Sequence, residues 1–262
     1  MEFYLIIPVD SKLVKDVVYR AAKAYESMQL ADGFYCYIWQ GTGNNCNTCL
    51  FTDVLRGERP HIIVDPGHIT NEFGENCFDY LTKAIQETGF KVDDIGLIIN
   101  THSHVDHCQA NELVVQKSSA WITLSQEEDE FRHNLGERLY SMLGAKVPQF
   151  TPLFYLKEGD LNLGAKSKVE LQIILTPGHS PGSICIYWPD KRMLITGDVV
   201  FYGSIGRTDF PGGSLSLLKK SVLRLSQLDV EYLVPGHRTE FGNVVKGKTN
   251  VQRNFQAAKL FL

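Results

Sequence analysis

Apolar residues recur along this chain in short runs broken by polar turns, and the runs alternate between strand-like and helix-like spacing. "FYLIIPV" (3–9) predicts a strand. Asp10 or Ser11 then caps a predicted helix whose apolar face is Leu13, Val14, Val17, Val18, Ala21 and Tyr25. "GFYCYIW" alternates as a half-buried strand does, and "HIIVDPG" is a short buried strand stopped by Pro66-Gly67. A helix is predicted from about Asn71 to Thr88, with Gly89 just past its end. "IGLIIN" and "VELQIILTPGH" predict two more strands, and "SICIYW" with "RMLITGD" predicts a hairpin across Pro189-Asp190. Ser214 opens a helix with Leu218, Val222 and Leu225 on one face; "VEYLVPGH" is a last strand and "VQRNFQAAKLFL" a closing helix. Strands alternating with helices place the chain in the α/β or mixed α+β class. Residues 125–153 are polar with scattered aromatics, the pattern of an inserted helical lid. Residues 1–30 read as a strand–helix extension packed on a main domain of residues 31–262.

Composition narrows the class without deciding it. The chain has 262 residues, 44% of them apolar, enough for a sizeable core without disulfides. The formal charge is −4 and no basic block stands out, which argues against nucleic acid as a partner. Six cysteines are too sparse for a disulfide scaffold. The opening "MEFYLIIPVD" lacks the basic flank and apolar length of a secretory signal, and no run is long enough to span a bilayer. A soluble cytoplasmic protein with reduced thiols is expected.

The chemistry lies at the strand ends. Four apolar strands each run into a loop bearing histidine or aspartate: "LIINTHSHVDH", "LQIILTPGHS", "RMLITGD" and "EYLVPGH". The residues are His102, His104, Asp106, His107, His179, Asp198 and His237. A lone histidine after a strand is ordinary loop chemistry, but strands aiming seven such groups into one cleft build a metal site. Imidazole with carboxylate suits zinc, iron or manganese. One tetrahedral ion needs four donors, so seven fit two ions with Asp198 as a bridge.

"THSHVDH" matches the HxHxDH signature of the metallo-β-lactamase superfamily, and "TPGHSPGS", "TGD" and "PGH" resemble its later motifs in the same order. The resemblance runs from about Gly33 to His237. It implies a four-layer αββα sandwich with the site at one edge of two packed sheets. It further implies one ion on His102, His104 and His179, a second on Asp106, His107 and His237, and Asp198 between them. "GSIGRTDFPGG" is similar to the glyoxalase II-like thioesterases and the related persulfide dioxygenases, with Arg207 and Asp209 as an ion pair shaping the site edge. Asp198 departs from true β-lactamases and His104 from the flavodiiron proteins. Only about 25 residues follow His237, room for one or two helices, so the grip on glutathione that glyoxalase II proper makes with a helical domain is not expected here.

The implied function is hydrolysis of a thioester or related acyl substrate by a hydroxide held between two divalent ions, zinc first, with iron or manganese as alternatives. Asp106 and Asp198 orient that nucleophile. A mononuclear iron persulfide dioxygenase and a lactonase or phosphodiesterase on the same binuclear site are the rival readings. The expected partner is a small-molecule substrate, with no nucleic acid, no membrane, and homo-oligomerisation left open. The 125–153 insertion is expected to wall the substrate pocket through Tyr140, Met142, Phe150 and Phe154, with Arg138 or Lys146 near a substrate carboxylate. Cys46 and Cys49 are read as buried thiols, Cys108 as a core contact, and His61, His68 and His133 as structural or solvated.

Overall fold

A computed structural model describes residues 24–134, 136–163 and 169–262. The strand and most of the helix expected in residues 1–25 therefore lie outside the described residues. Two sheets carry the fold. The first has seven strands in sequence order: β1 (Tyr25–Ala31), β2 (Phe34–Trp39), β3 (Thr48–Phe51), β4 (His61–Val64), β5 (Ile95–Ile99), β6 (Trp121–Ser125) and β7 (Phe154–Leu156). Its first four strands are antiparallel and its last four parallel. The remaining strands are β8 (Gly159–Leu161), β9 (Leu171–Leu175), β10 (Ile184–Trp188), β11 (Met193–Gly197), the small hairpin β12 (Val200–Phe201) and β13 (Ser204–Ile205), β14 (Tyr232–Pro235) and β15 (Val245–Lys246). The second sheet is ordered β15-β14-β11-β10-β9-β8. Helices are α1 (Cys77–Glu87), α2 (Val105–Cys108), α3 (Asn111–Ser118), α4 (Gln126–Asn134), α5 (Gly136–Met142), α6 (Leu215–Leu225) and α7 (Lys248–Ala258).

The period-2 patterns decide which face each strand buries. In β2 and β5, Phe34, Cys36, Ile38, Leu97 and Ile99 face inward and pack on Ile173, Ile186, Trp188 and Ile195 of the second sheet. Their neighbours Tyr37 and Ile98 face outward, under Phe78, Leu81 and Ile85 of α1 and Val114 of α3. On the far side, Ile174, Cys185, Leu194 and Leu233 meet Leu218 and Val222 of α6 and Val251 and Phe255 of α7. Three apolar interfaces between four layers make the expected αββα sandwich. No helix among the described residues is long and apolar enough to cross a membrane.

Three local expectations change. Tyr25 is not on a helix face but begins β1 opposite Trp39, so the described part of the 1–30 extension is an edge strand of the main sheet. Asp32-Gly33 makes the two-residue turn into β2, with Gly33 at φ 72°. The helix expected from Asn71 starts only at Cys77. Asn71 Oδ1 accepts the backbone N–H groups of Phe73 (3.1 Å) and Glu75 (3.0 Å), a local turn that competes with helix formation. The insertion after β6 is helical only through α4 and α5; residues 145–153 carry no helix or strand.

Candidate metal centre

The direction of the strands brings the ligand loops together. β10 lies antiparallel between β9 and β11, and β14 is parallel to β11, so β9, β11 and β14 all end at the same edge. His179, Asp198 and His237 follow those three ends. β5 of the other sheet delivers His102 to His107 to the same place, where the Ile184 N–H donates to the Thr101 carbonyl at 2.9 Å. Gly236 allows the last approach, because a Cβ there would stand 2.3 Å from Asp198 Oδ1.

All seven predicted residues converge. Potential ligand atoms of His102, His104 and His179 lie within 4.8 Å of one another, as do those of Asp106, His107 and His237, and those of His102, His107 and Asp198. Asp198 reaches both sides: Oδ1 is 3.3 Å from His107 Nε2, and Oδ2 is 3.5 Å from both His179 Nε2 and His237 Nε2. Ring nitrogens face each other at 2.9 Å (His179 Nε2 to His104 Nδ1) and 3.1 Å (His107 Nε2 to His237 Nε2). His102 Nε2 is buried with no hydrogen-bond partner. Bare nitrogens crowded on one another and on carboxylates fit divalent cations, which would give each lone pair a partner.

Groups outside the ligand set fix the orientation of these rings. Asp65 Oδ2 accepts from His107 Nδ1 at 2.9 Å, which leaves Nε2 for the centre. The same carboxylate accepts from Thr101 N (2.8 Å) and Thr101 Oγ1 (2.6 Å), so it also sets the backbone beside His102. His179 Nδ1 donates to the Arg207 carbonyl at 2.7 Å. Asn44 Nδ2 donates to Asp106 Oδ2 at 2.8 Å. Asp65 and Asn44 were not singled out in the sequence. The acid at the end of "HIIVD" is the one signal for Asp65, and Asn44 lies 62 positions before its partner.

Electrostatics divides the histidines. Burial, then the neighbouring histidines, push His102 well below the ordinary imidazole value, and burial with His179 takes His104 to about 3. Burial works the same way on His107 and His237, but Asp198 heads the carboxylates that outweigh it, and both are raised. Asp106 and Asp198 are held below the usual carboxylate range, against their burial, by the facing histidines.

A cavity of about 770 Å³ opens over the centre. Its polar side includes Asn44, His68, Glu72 and Gln109; its apolar side includes Val105, Leu143, Phe201, Ile205 and Phe210. The insertion contributes Leu143, Gly144 and Ala145, and the expected wall of Tyr140, Met142, Phe150 and Phe154 does not line the cavity, nor does Arg138 or Lys146. Tyr140 is fully buried, with its hydroxyl donating to the Ser103 carbonyl. Phe150 lies 4.0 Å under the buried Arg132 guanidinium, so these aromatics hold the insertion down instead. His68, read as structural or solvated, is buried at the cavity wall with Nδ1 on Gln109 Oε1 at 2.9 Å. His61 accepts from Asp53 N, and His133 stands at the surface. The expected Arg207–Asp209 pair forms, at 2.7 and 2.6 Å. Cys46, Cys49 and Cys108 are buried free thiols; Cys49 faces Cys36 across β2 and β3 with the sulfurs 3.4 Å apart.

The model of the metallo-beta-lactamase superfamily matches residues 42–237. A probable metallo-hydrolase of Methanocaldococcus jannaschii, MJ0888, is 32% identical over 212 residues, 78% of this chain and 91% of its own length. The hydroxyacylglutathione hydrolase GloC of Haemophilus influenzae is 32% identical over 168 residues, 63% of this chain and 73% of its own. The human acyl-coenzyme A thioesterase MBLAC2 is 28% identical over 250 residues, 85% and 84% of the two chains. Among solved structures, the B3 metallo-beta-lactamase BLEG-1 superposes with a TM-score of 0.61 at 26% identity, covering 84% of this chain and 95% of its own. The di-iron-bound form of TTHA1623 superposes at 0.59 with 25% identity, covering 79% and 94%.

Proposed function

The chain belongs to the metallo-beta-lactamase superfamily and is a hydrolase of that fold, and from that premise we propose that it cleaves a thioester at a binuclear metal centre. The observation that carries the reading is the complete double set of donors around Asp198. The thioester assignment draws on the similarity to a hydroxyacylglutathione hydrolase and to an acyl-coenzyme A thioesterase. His102, His104 and His179 would hold one ion, and Asp106, His107 and His237 the other, with Asp198 touching both. When bound, such a pair supplies Lewis acidity and lowers the pKa of water toward neutrality; zinc suits the imidazole–carboxylate donors, as do iron and manganese.

The chain's own residues do the rest. Asp65 and the Arg207 carbonyl hold His107 and His179 in the tautomer that turns Nε2 toward the centre. Asn44 fixes one oxygen of Asp106. Phe201, Phe210 and Leu143 give the cavity an apolar lining beside the centre, where a lower local dielectric strengthens polar interactions. Asp106 and Asp198, both ionised, can accept a proton bond from the attacking water and orient it. The similarity to a hydroxyacylglutathione hydrolase and to an acyl-coenzyme A thioesterase favours this reading over a mononuclear iron dioxygenase. The test is a panel of thioesters, lactones, phosphodiesters and a glutathione persulfide, with hydrolysis and oxygen uptake both measured. Thioester hydrolysis without oxygen uptake is expected. Oxygen uptake on the persulfide, with thioesters untouched, overturns the proposal.

A further inference from the structure

We propose that Arg238 selects substrates that carry an anionic group, carboxylate or phosphate, on the thiol half of the thioester; this deepens the thioesterase reading and rests on it. Arg238 follows His237 directly, has an exposed side chain, and is among the residues that line the same cavity. Its hydrogen-bond partner is neutral: Nη1 donates to Gln40 Oε1 at 2.7 Å. Among the described residues no carboxylate forms an ion pair with it.

The other arginine at this wall, Arg207, is already paired. Arg207 is gripped at two points by Asp209 and stacked 3.8 Å over Phe210. Glu72 accepts the Asn44 backbone N–H at 2.8 Å. Among the described residues, Arg238 is therefore the arginine at this wall that forms no ion pair. A guanidinium offers five donors in a planar fork, and Gln40 takes one of them. The remaining edge matches the two oxygens of a carboxylate or phosphate, and the Gln40 contact holds the fork in place for it.

The test compares three thioesters of one acyl group, carried on coenzyme A, on glutathione and on uncharged N-acetylcysteamine. In Arg238→Gln, the preference for the charged over the neutral thioester, as kcat/KM, is expected to fall about 10- to 100-fold through KM, the value of a charge-assisted hydrogen bond. A fall confined to the coenzyme A ester identifies phosphate, and one confined to the glutathione ester identifies carboxylate. The same variant should bind S-methyl-coenzyme A or S-methylglutathione about 10- to 100-fold more weakly by calorimetry. Arg238→Glu should deepen both effects while the metal content stays that of the wild type. An equal change across all three thioesters, or equal binding by wild type and Arg238→Gln, overturns the proposal, as does a wild type with neither preference nor binding. A wild type that hydrolyses none of the three refutes the thioesterase reading, and calorimetry still decides on Arg238.

Discussion

At the scale of single residues, Asp198 is the group whose loss should be felt most, because its two oxygens face both halves of the donor set. Asp198→Ala is expected to lose at least one ion and to lower thioester hydrolysis by about 10²–10³ or more. Metal analysis with turnover checks this, and a fully loaded variant with wild-type turnover would refute the bridging role. His107 and His237 carry a second prediction. Both are raised above the ordinary imidazole value, chiefly by Asp198 against the effect of burial. Without metal the carboxylates favour an extra proton on each ring, and in His107 that proton occupies Nε2, since Nδ1 already donates to Asp65. An entering ion must displace it. Metal uptake at pH 7 should therefore release protons, and apparent affinity should rise with pH through this range. Calorimetry in buffers of different ionisation enthalpy reads the proton count; zero released protons would contradict the assignment.

At the scale of elements, the ligand loops depend on α4. Glu128 is fully buried, and its Oε1 accepts Ser103 N and Oγ, both at 2.8 Å. Its Oε2 accepts Gly182 N at 2.9 Å and the Ser180 hydroxyl. One carboxylate thus ties the loop of His102 and His104 to the loop of His179. Glu128→Gln turns donors toward donors and should cost about 2–3 kcal/mol in urea unfolding, with weaker metal retention against a chelator. Unchanged stability and retention would show that the tether is incidental. This function of residues 125–153 was not legible from their polar, aromatic-dotted sequence, because it depends on contacts with Ser180 and Gly182, more than 50 positions away. The ligand strands were legible, since apolar runs ending in histidine or aspartate need no distant partner to be recognised. β1 was hidden by Tyr25, whose spacing fitted a helix face, although Asp32-Gly33 carries the hairpin signal. The start of α1 was misread because Asn71 bonds locally with its own loop.

At the scale of the whole molecule, four layers leave one edge where both sheets end, and that edge carries the seven donors beneath a cavity of about 770 Å³. The sandwich supplies rigidity and the loops supply chemistry. A binuclear thioesterase needs both ions before its activity is complete, so the most direct measurement titrates metal-stripped protein with zinc while thioester hydrolysis is followed. Activity rising to a plateau at two equivalents per chain is the predicted result. A plateau at one equivalent, or no hydrolysis at saturating metal, would contradict it.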